Sequence, residues 1–85
     1  MLSNVLSYMT KDILLVTALL SPQVIRTAAL MDIPAIVFTG GRLPHHIVEE
    51  AKNTKVAILS TSYSTYKTCG LLYVAGLGSI ENEIA

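Results

Sequence analysis

Three threonines, each at the end of a short apolar run, are the residues best placed to meet a ligand. Thr17, Thr39 and Thr61 are equally spaced along the chain, and each is followed by turn-forming residues and an amphipathic stretch. In a parallel sheet the carboxyl ends of the strands share one edge, where open α/β folds bind ligands. The spacing therefore predicts three strand–loop–helix units with a hydroxyl group at the mouth of each strand.

The sharpest local motif is Thr39-Gly40-Gly41-Arg42. Two glycines after a strand allow backbone N–H groups to converge on an anion, and the guanidinium of Arg42 suits a phosphate or a carboxylate. The alternative is that the glycines only permit a tight strand-to-helix turn with positive φ. The motif is neither a Walker A loop nor a dinucleotide-binding fingerprint. Both interpretations stay open from the sequence.

A dense run of hydroxyl side chains, residues 60–66, lies at the mouth of the third strand. It suits hydrogen bonding to a polar ligand beside the glycines, with the ring of Tyr63 stacking on a base. The alternative is a helix N-cap with tyrosines that are packed or face a partner. The candidate ligand-binding residues are Thr39, Gly40, Gly41, Arg42, Thr61, Ser62 and Tyr63.

The remaining reactive side chains do not form a catalytic pattern. The acidic residues fall on turns, helix surfaces and the tail, so the paired carboxylates of general acid–base catalysis are missing. His45 and His46 diverge by about 100° on a helix, which prevents both from reaching one ion without further ligands. Cys69 is expected to be a small core residue. Arg26 is expected to have a surface role or to pair with Asp32 or a subunit neighbour. We expect a protein that is not an enzyme, with no catalytic residue, metal site or cofactor.

Composition bounds the partners and the location. Six basic and six acidic residues cancel over 85 residues, which argues against nucleic acid and against an anionic membrane surface. A single cysteine fits a reducing compartment, and no signal peptide or long apolar stretch is evident. We expect a cytoplasmic protein. Because 52% of the residues are apolar, we also expect burial of both sheet faces and a homodimer.

Local start and stop signals divide the chain into elements. Near-continuous apolar strands indicate a parallel sheet covered on both faces. The predicted fold is a single α/β domain over residues 1–85: a three-layer α/β/α sandwich with a short, mostly parallel sheet built from repeated βα units. The predicted helices are a leading one on Leu2, Val5, Leu6 and Met9, one from Ser21-Pro22 to about Met31, one opened by Leu43-Pro44, and one from Ser62–Ser64 to Gly76. The last of these carries Tyr66, Cys69, Leu72 and Tyr73 at helical spacing, and residues 78–85 are expected to form a flexible tail.

Two segments together resemble the DRTGG domain family. They are residues 36–44, with sequence IVFTGGRLP, and residues 56–66, with sequence VAILSTSYSTY. The family pairs a strand ending in Thr-Gly-Gly with a downstream strand ending in a Ser-Thr-x-Tyr-x-Thr-aromatic run. The resemblance extends from about residue 12 to residue 76. Residues 22–28 and 69–77 look particularly like small stand-alone bacterial members.

The resemblance implies the α/β fold of the amino-terminal domain of HPr kinase, frequent dimerisation and a regulatory role. Two departures stand out. The family's acidic-Arg element is absent from the loop of residues 18–23, and the chain begins inside the family's leading helix, so the amino-terminal portion of the domain is expected to be missing. We expect a regulatory interaction module that dimerises and contacts partner proteins. The alternative is a domain that senses a nucleotide or other small anion at the carboxyl edge of its sheet.

Overall fold

The computed structural model describes residues 13–78. Its elements are β1 (Leu14–Thr17), α1 (Pro22–Leu30), β2 (Ala35–Thr39), α2 (His45–Lys52), β3 (Ala57–Thr61) and α3 (Thr65–Val74). The predicted leading helix and all but the first residue of the predicted tail lie outside the described residues.

The three strands form one parallel sheet with β2 in the centre. Helices α1 and α2 pack against each other on one face, where Phe38 of β2 is fully buried. Helix α3 lies on the opposite face. Its Thr65 forms a hydrogen bond with the side chain of Thr39, and neighbouring residues of a strand, here Phe38 and Thr39, point to opposite faces of the sheet. The three-layer α/β/α prediction is confirmed.

Local capping starts two of the helices where the sequence predicted. The hydroxyl of Ser21 accepts a hydrogen bond from the N–H of Gln23, and Pro22 occupies the first turn, where its missing N–H is harmless. Ser64 caps α3 in the same way by accepting from the N–H of Lys67. Helix α2 instead follows Pro44 without a side-chain cap.

The core lies between the sheet and the α1–α2 layer. Ile25, Ile36, Phe38 and Ile47 are its largest fully buried side chains. Leu15 and Ile58 flank Ile36 in the register of the sheet, on the same face, and pack against this core. Apolar burial in this layer is the main stabilising contribution.

An ion pair joins α1 to α2 across the outside of the core. Arg26 donates to both carboxylate oxygens of Glu50, over 3.1 and 3.2 Å. Arg26 lies on the surface, as one of the expectations had it, but its partner is Glu50 rather than Asp32, since its side chain projects toward the neighbouring helix. The hydrogen bond to Glu50 and, to a smaller extent, the Coulomb attraction of Glu50 raise the pKa of Arg26 above its usual value. The pair is exposed, so its contribution to stability is small.

The second face of the sheet is only partly covered. Helix α3 follows β3 in the chain but packs against β1, at the far edge of the sheet. On this face Leu59 of β3 remains 51% exposed, and Ala57 is exposed too. The expectation of burial on both faces therefore fails for β3, because α3 leaves that strand to cover β1.

The orientation of α3 also differs from expectation. Cys69, predicted as a small core residue, is exposed, and Thr68 is buried instead. Tyr66 and Tyr73 are also exposed, which agrees with the alternative in which the tyrosine of residue 66 faces a partner. The apolar residues of this helix are spread around its circumference, so the periodicity of the sequence does not single out one face. The contact between Thr65 and Thr39 selects the buried side. Cys69 is thus a surface residue rather than a core residue.

Candidate functional site

Two of the three strand-end threonines come together at the carboxyl edge of the sheet. Thr39 and Thr61 are direct partners in the register of β2 and β3, so both point to the α3 face. Thr17 pairs with Phe38 and therefore points to the opposite face. Its hydroxyl accepts a hydrogen bond from the N–H of Leu19, which is a local turn contact. The equal spacing in sequence thus does not translate into three equivalent positions.

The Gly40-Gly41 loop is hydrogen-bonded to the loop after β3. Gly40 donates its N–H to the carbonyl of Tyr63 over 3.2 Å, and Gly41 donates to the carbonyl of Thr61 over 2.9 Å. The φ angles of the two glycines are 94° and 130°, where a side chain is strained. Their N–H groups join two loops rather than forming an open cradle. An anion at this edge would have to be held by other donors.

Several hydroxyls of the candidate site also have internal partners. The hydroxyls of Thr39 and Thr65 lie 2.6 Å apart, and Thr39 is only 4% exposed. The hydroxyl of Thr61 accepts from the N–H of Tyr63 over 3.1 Å. These contacts hold the mouth of β3 and the start of α3 against β2. At this edge the hydroxyls of Thr39 and Thr61 form hydrogen bonds within the domain.

The groups that face solvent at this edge are fewer. Arg42 and Ser62 are exposed, and within residues 13–78 Arg42 forms no salt bridge. Tyr63 is partly exposed, but the ammonium of Lys67 lies 4.2 Å from its ring centroid, a cation–π contact. The guanidinium of Arg42 is therefore the strongest free anion-binding group beside the glycines. Such a set can bind a ligand, but it includes no paired acid and base for catalysis.

The sequence did not predict the roles of two threonines of α3. Thr65 belongs to the hydroxyl run of residues 60–66 but is the partner of Thr39, and Thr68 is buried with a hydroxyl that has no hydrogen-bond partner among the described residues. The available signal was the Ser64 N-cap, which fixes the helix start and places Thr65 and Thr68 one turn apart on one side.

The two histidines begin α2, shortly after Arg42 in the chain. His45 is mostly exposed, with its Nε2 3.5 Å from the carboxylate of Glu49. Lys52, mainly through a hydrogen bond to Glu49, lowers the pKa of that carboxyl. Among residues 13–78, no group of three or more His, Cys, Asp or Glu side chains is arranged to hold a metal ion. The helices of this same part of the chain also lack the length and apolar character needed to cross a membrane.

Comparison with known proteins identifies the family. The family model of the DRTGG domain matches residues 1–74 of the 85-residue chain. The match includes both the Thr39–Arg42 loop and the hydroxyl run after β3. Comparisons with curated proteins and with solved structures gave no match. Since the family model covers most of the chain, this protein belongs to the DRTGG domain family, a family of regulatory domains.

Proposed function

We propose that this chain is a non-catalytic regulatory module that dimerises and contacts partner proteins. The observation that carries the proposal is a set of exposed apolar side chains on α3, just beyond it and on β3. Each is at least 42% exposed: Leu59, Tyr66, Leu71, Tyr73, Val74 and Leu77. We call this set the α3-side surface.

The number and type of these residues favour a protein partner. Single exposed apolar residues are ordinary on a soluble domain, whereas grouped ones mark interaction surfaces. Tyrosine is enriched in such surfaces because its ring is large and its hydroxyl tolerates water. Covering apolar area is favourable by about 25 cal/mol per Å² before the costs of association. The α3-side surface is therefore the part of the domain best suited to assembly.

A charge placed on the α3-side surface should separate the copies. Val74 is the last residue of α3 and is 84% exposed, and a lysine there is compatible with the negative end of the helix. We expect Val74→Lys to weaken self-association at least tenfold in sedimentation equilibrium. The matched control is Leu30→Lys, since Leu30 is the last residue of α1 and is also 84% exposed. The control should dimerise like the unchanged chain.

Two results would count against the proposal. An unchanged chain that stays monomeric at high micromolar concentration would remove self-association from the proposed role. A dimer that Val74→Lys and Leu30→Lys affect equally would move the interface away from the α3-side surface. Circular dichroism of each variant checks that its helices are intact.

A second candidate function is the sensing of a nucleotide or another small anion. Its support is the exposed guanidinium of Arg42, which forms no salt bridge within residues 13–78, beside two loops joined by hydrogen bonds, together with the exposed Ser62 and the ring of Tyr63. Thr39, Gly40, Gly41 and Thr61 would shape this edge rather than contact the ligand. Ligand binding at this edge and dimerisation through the α3-side surface are compatible, because the two use different residues.

A thermal-shift series tests this second function. With adenine or guanine nucleotides, or inorganic phosphate, at ten times the Kd, we expect about 1.4 kcal/mol of stabilisation and a Tm increase of roughly 5 °C or more. Arg42→Gln should abolish the shift. Lys55→Gln should retain it, because it removes the same charge at the opposite end of β3. The absence of any shift at millimolar ligand would exclude the sensing function for these compounds.

A cytoplasmic location is part of the same proposal. It is supported by the single exposed cysteine, Cys69, and by the balanced charge of the chain.

A further inference from the structure

The outward side of α3 has a mirror-symmetric pattern. Tyr66, Cys69, Gly70 and Tyr73 read as aromatic, small, small, aromatic, with equal spacing on either side of the point between Cys69 and Gly70. At about 100° per residue the tyrosines project within about 20° of each other, and the two small residues lie about 50° to either side. All four are exposed.

Within residues 13–78, no contact of Gly70 requires glycine. It lies inside a helix, and a Cβ at this position would meet no atom within 4 Å. Glycine weakens a helix relative to alanine because it adds conformational freedom to the unfolded chain. What the missing side chain does provide is a shallow place on the outer surface, where a second helix can approach closely.

The pattern is also electrically neutral. It contains no Asp, Glu, Lys, Arg or His, and the ammonium of the neighbouring Lys67 lies over the ring of Tyr63. A two-fold interface brings a surface against its own copy, so a charged patch would repel itself. A neutral patch with mirror symmetry is suited to a second copy of this chain rather than to an unrelated partner.

We propose that two copies pair through antiparallel α3 helices that cross at Cys69 and Gly70. Tyr66 of each copy then lies against Tyr73 of the other copy, so the two-fold symmetry produces two equivalent contacts. This inference rests on the dimerisation in the proposed function and adds its geometry. The tyrosines supply about 300 Å² per copy, less than half of the roughly 800 Å² that each partner gives to a standard interface. We therefore expect a reversible dimer with a micromolar Kd.

The crossing makes Cys69 a reporter of the geometry. Helix axes about 8 Å apart place the two Cys69 Cα atoms within the roughly 4.4–6.8 Å that a disulfide needs. Under mild copper–phenanthroline oxidation, a covalent dimer should form at least tenfold faster than in a Cys69→Ser/Leu30→Cys variant, which moves the only thiol to the exposed end of α1. Equal rates in the two proteins would overturn the crossing.

Two substitutions of Gly70 separate assembly from folding. Gly70→Ala should raise the Tm of the dilute monomer, because the helix gains stability, yet raise the Kd of the dimer about tenfold. Gly70→Leu should leave only monomer in sedimentation equilibrium. Because Gly70→Ala strengthens the fold, its weaker dimer cannot be ascribed to unfolding.

The outcomes distinguish this inference from the proposed function. If the unchanged chain dimerises but Gly70→Leu has the same Kd and Cys69 links no faster than the control thiol, the antiparallel pair is wrong and dimerisation stands. If the unchanged chain is monomeric by sedimentation, the dimerisation itself is wrong, and the pair falls with it.

Discussion

Replacing Phe38 with alanine is expected to lower the free energy of unfolding by about 3–5 kcal/mol. The phenyl ring is fully buried on β2, the central strand, between the sheet and the α1–α2 layer. Its loss removes apolar burial and leaves a cavity that the rigid sheet cannot close. A domain of this length has about 4–13 kcal/mol in total. The variant should therefore be largely unfolded under mild denaturing conditions.

Urea unfolding followed by circular dichroism measures this effect. The matched control is Leu30→Ala, which also removes a large apolar side chain but from a position that is 84% exposed. We expect the control to change the free energy of unfolding by less than about 0.5 kcal/mol. Similar losses in the two variants would show that the core is not centred on β2.

Substituting Gly41 with alanine is expected to cost about 1–3 kcal/mol of stability. A Cβ at this position would meet no atom within 4 Å, so crowding is not the cause. The cause is the φ of 130°, which an alanine adopts only with strain. A change of this φ would also break the hydrogen bond from the Gly41 N–H to the carbonyl of Thr61. The edge formed by the two loops should therefore loosen.

The comparison with Gly70→Ala makes this test decisive. The same chemical change in α3 also meets open space, but at a position without a positive φ. At low micromolar concentration, where the monomer dominates, it should stabilise the domain by about 0.5–1 kcal/mol. Effects of opposite sign are expected in urea unfolding. A stabilising Gly41→Ala would show that the loop does not hold glycine at positive φ.

The sequence allowed most of the architecture to be predicted, because the relevant signals are local. Apolar runs separated by helical stretches specify parallel βα units, and Ser21-Pro22 marks the start of α1. The Thr39–Arg42 and 61–63 segments were expected at one edge of the sheet, and the pairing of β2 with β3 brings them together. Whether they bind a ligand stays a prediction.

The expectations that failed concern contacts between elements. The charge partner of Arg26 is Glu50 of the neighbouring helix, which a local pattern does not reveal. The sequence left open whether the N–H groups of Gly40 and Gly41 contact an anion, and in the structure they donate to carbonyls of another loop. Partners distant in sequence are chosen by packing, so local residue types do not identify them.

The sequence by itself determined the elements and their parallel order, since each depends on near neighbours in the chain. Only the tertiary structure decided which side of α3 is buried. That helix is apolar all round, so its own pattern has no preferred face, and the contact between Thr39 and Thr65 makes the choice. The same choice turns Tyr66, Gly70 and Tyr73 outward and exposes the surface proposed to form the dimer.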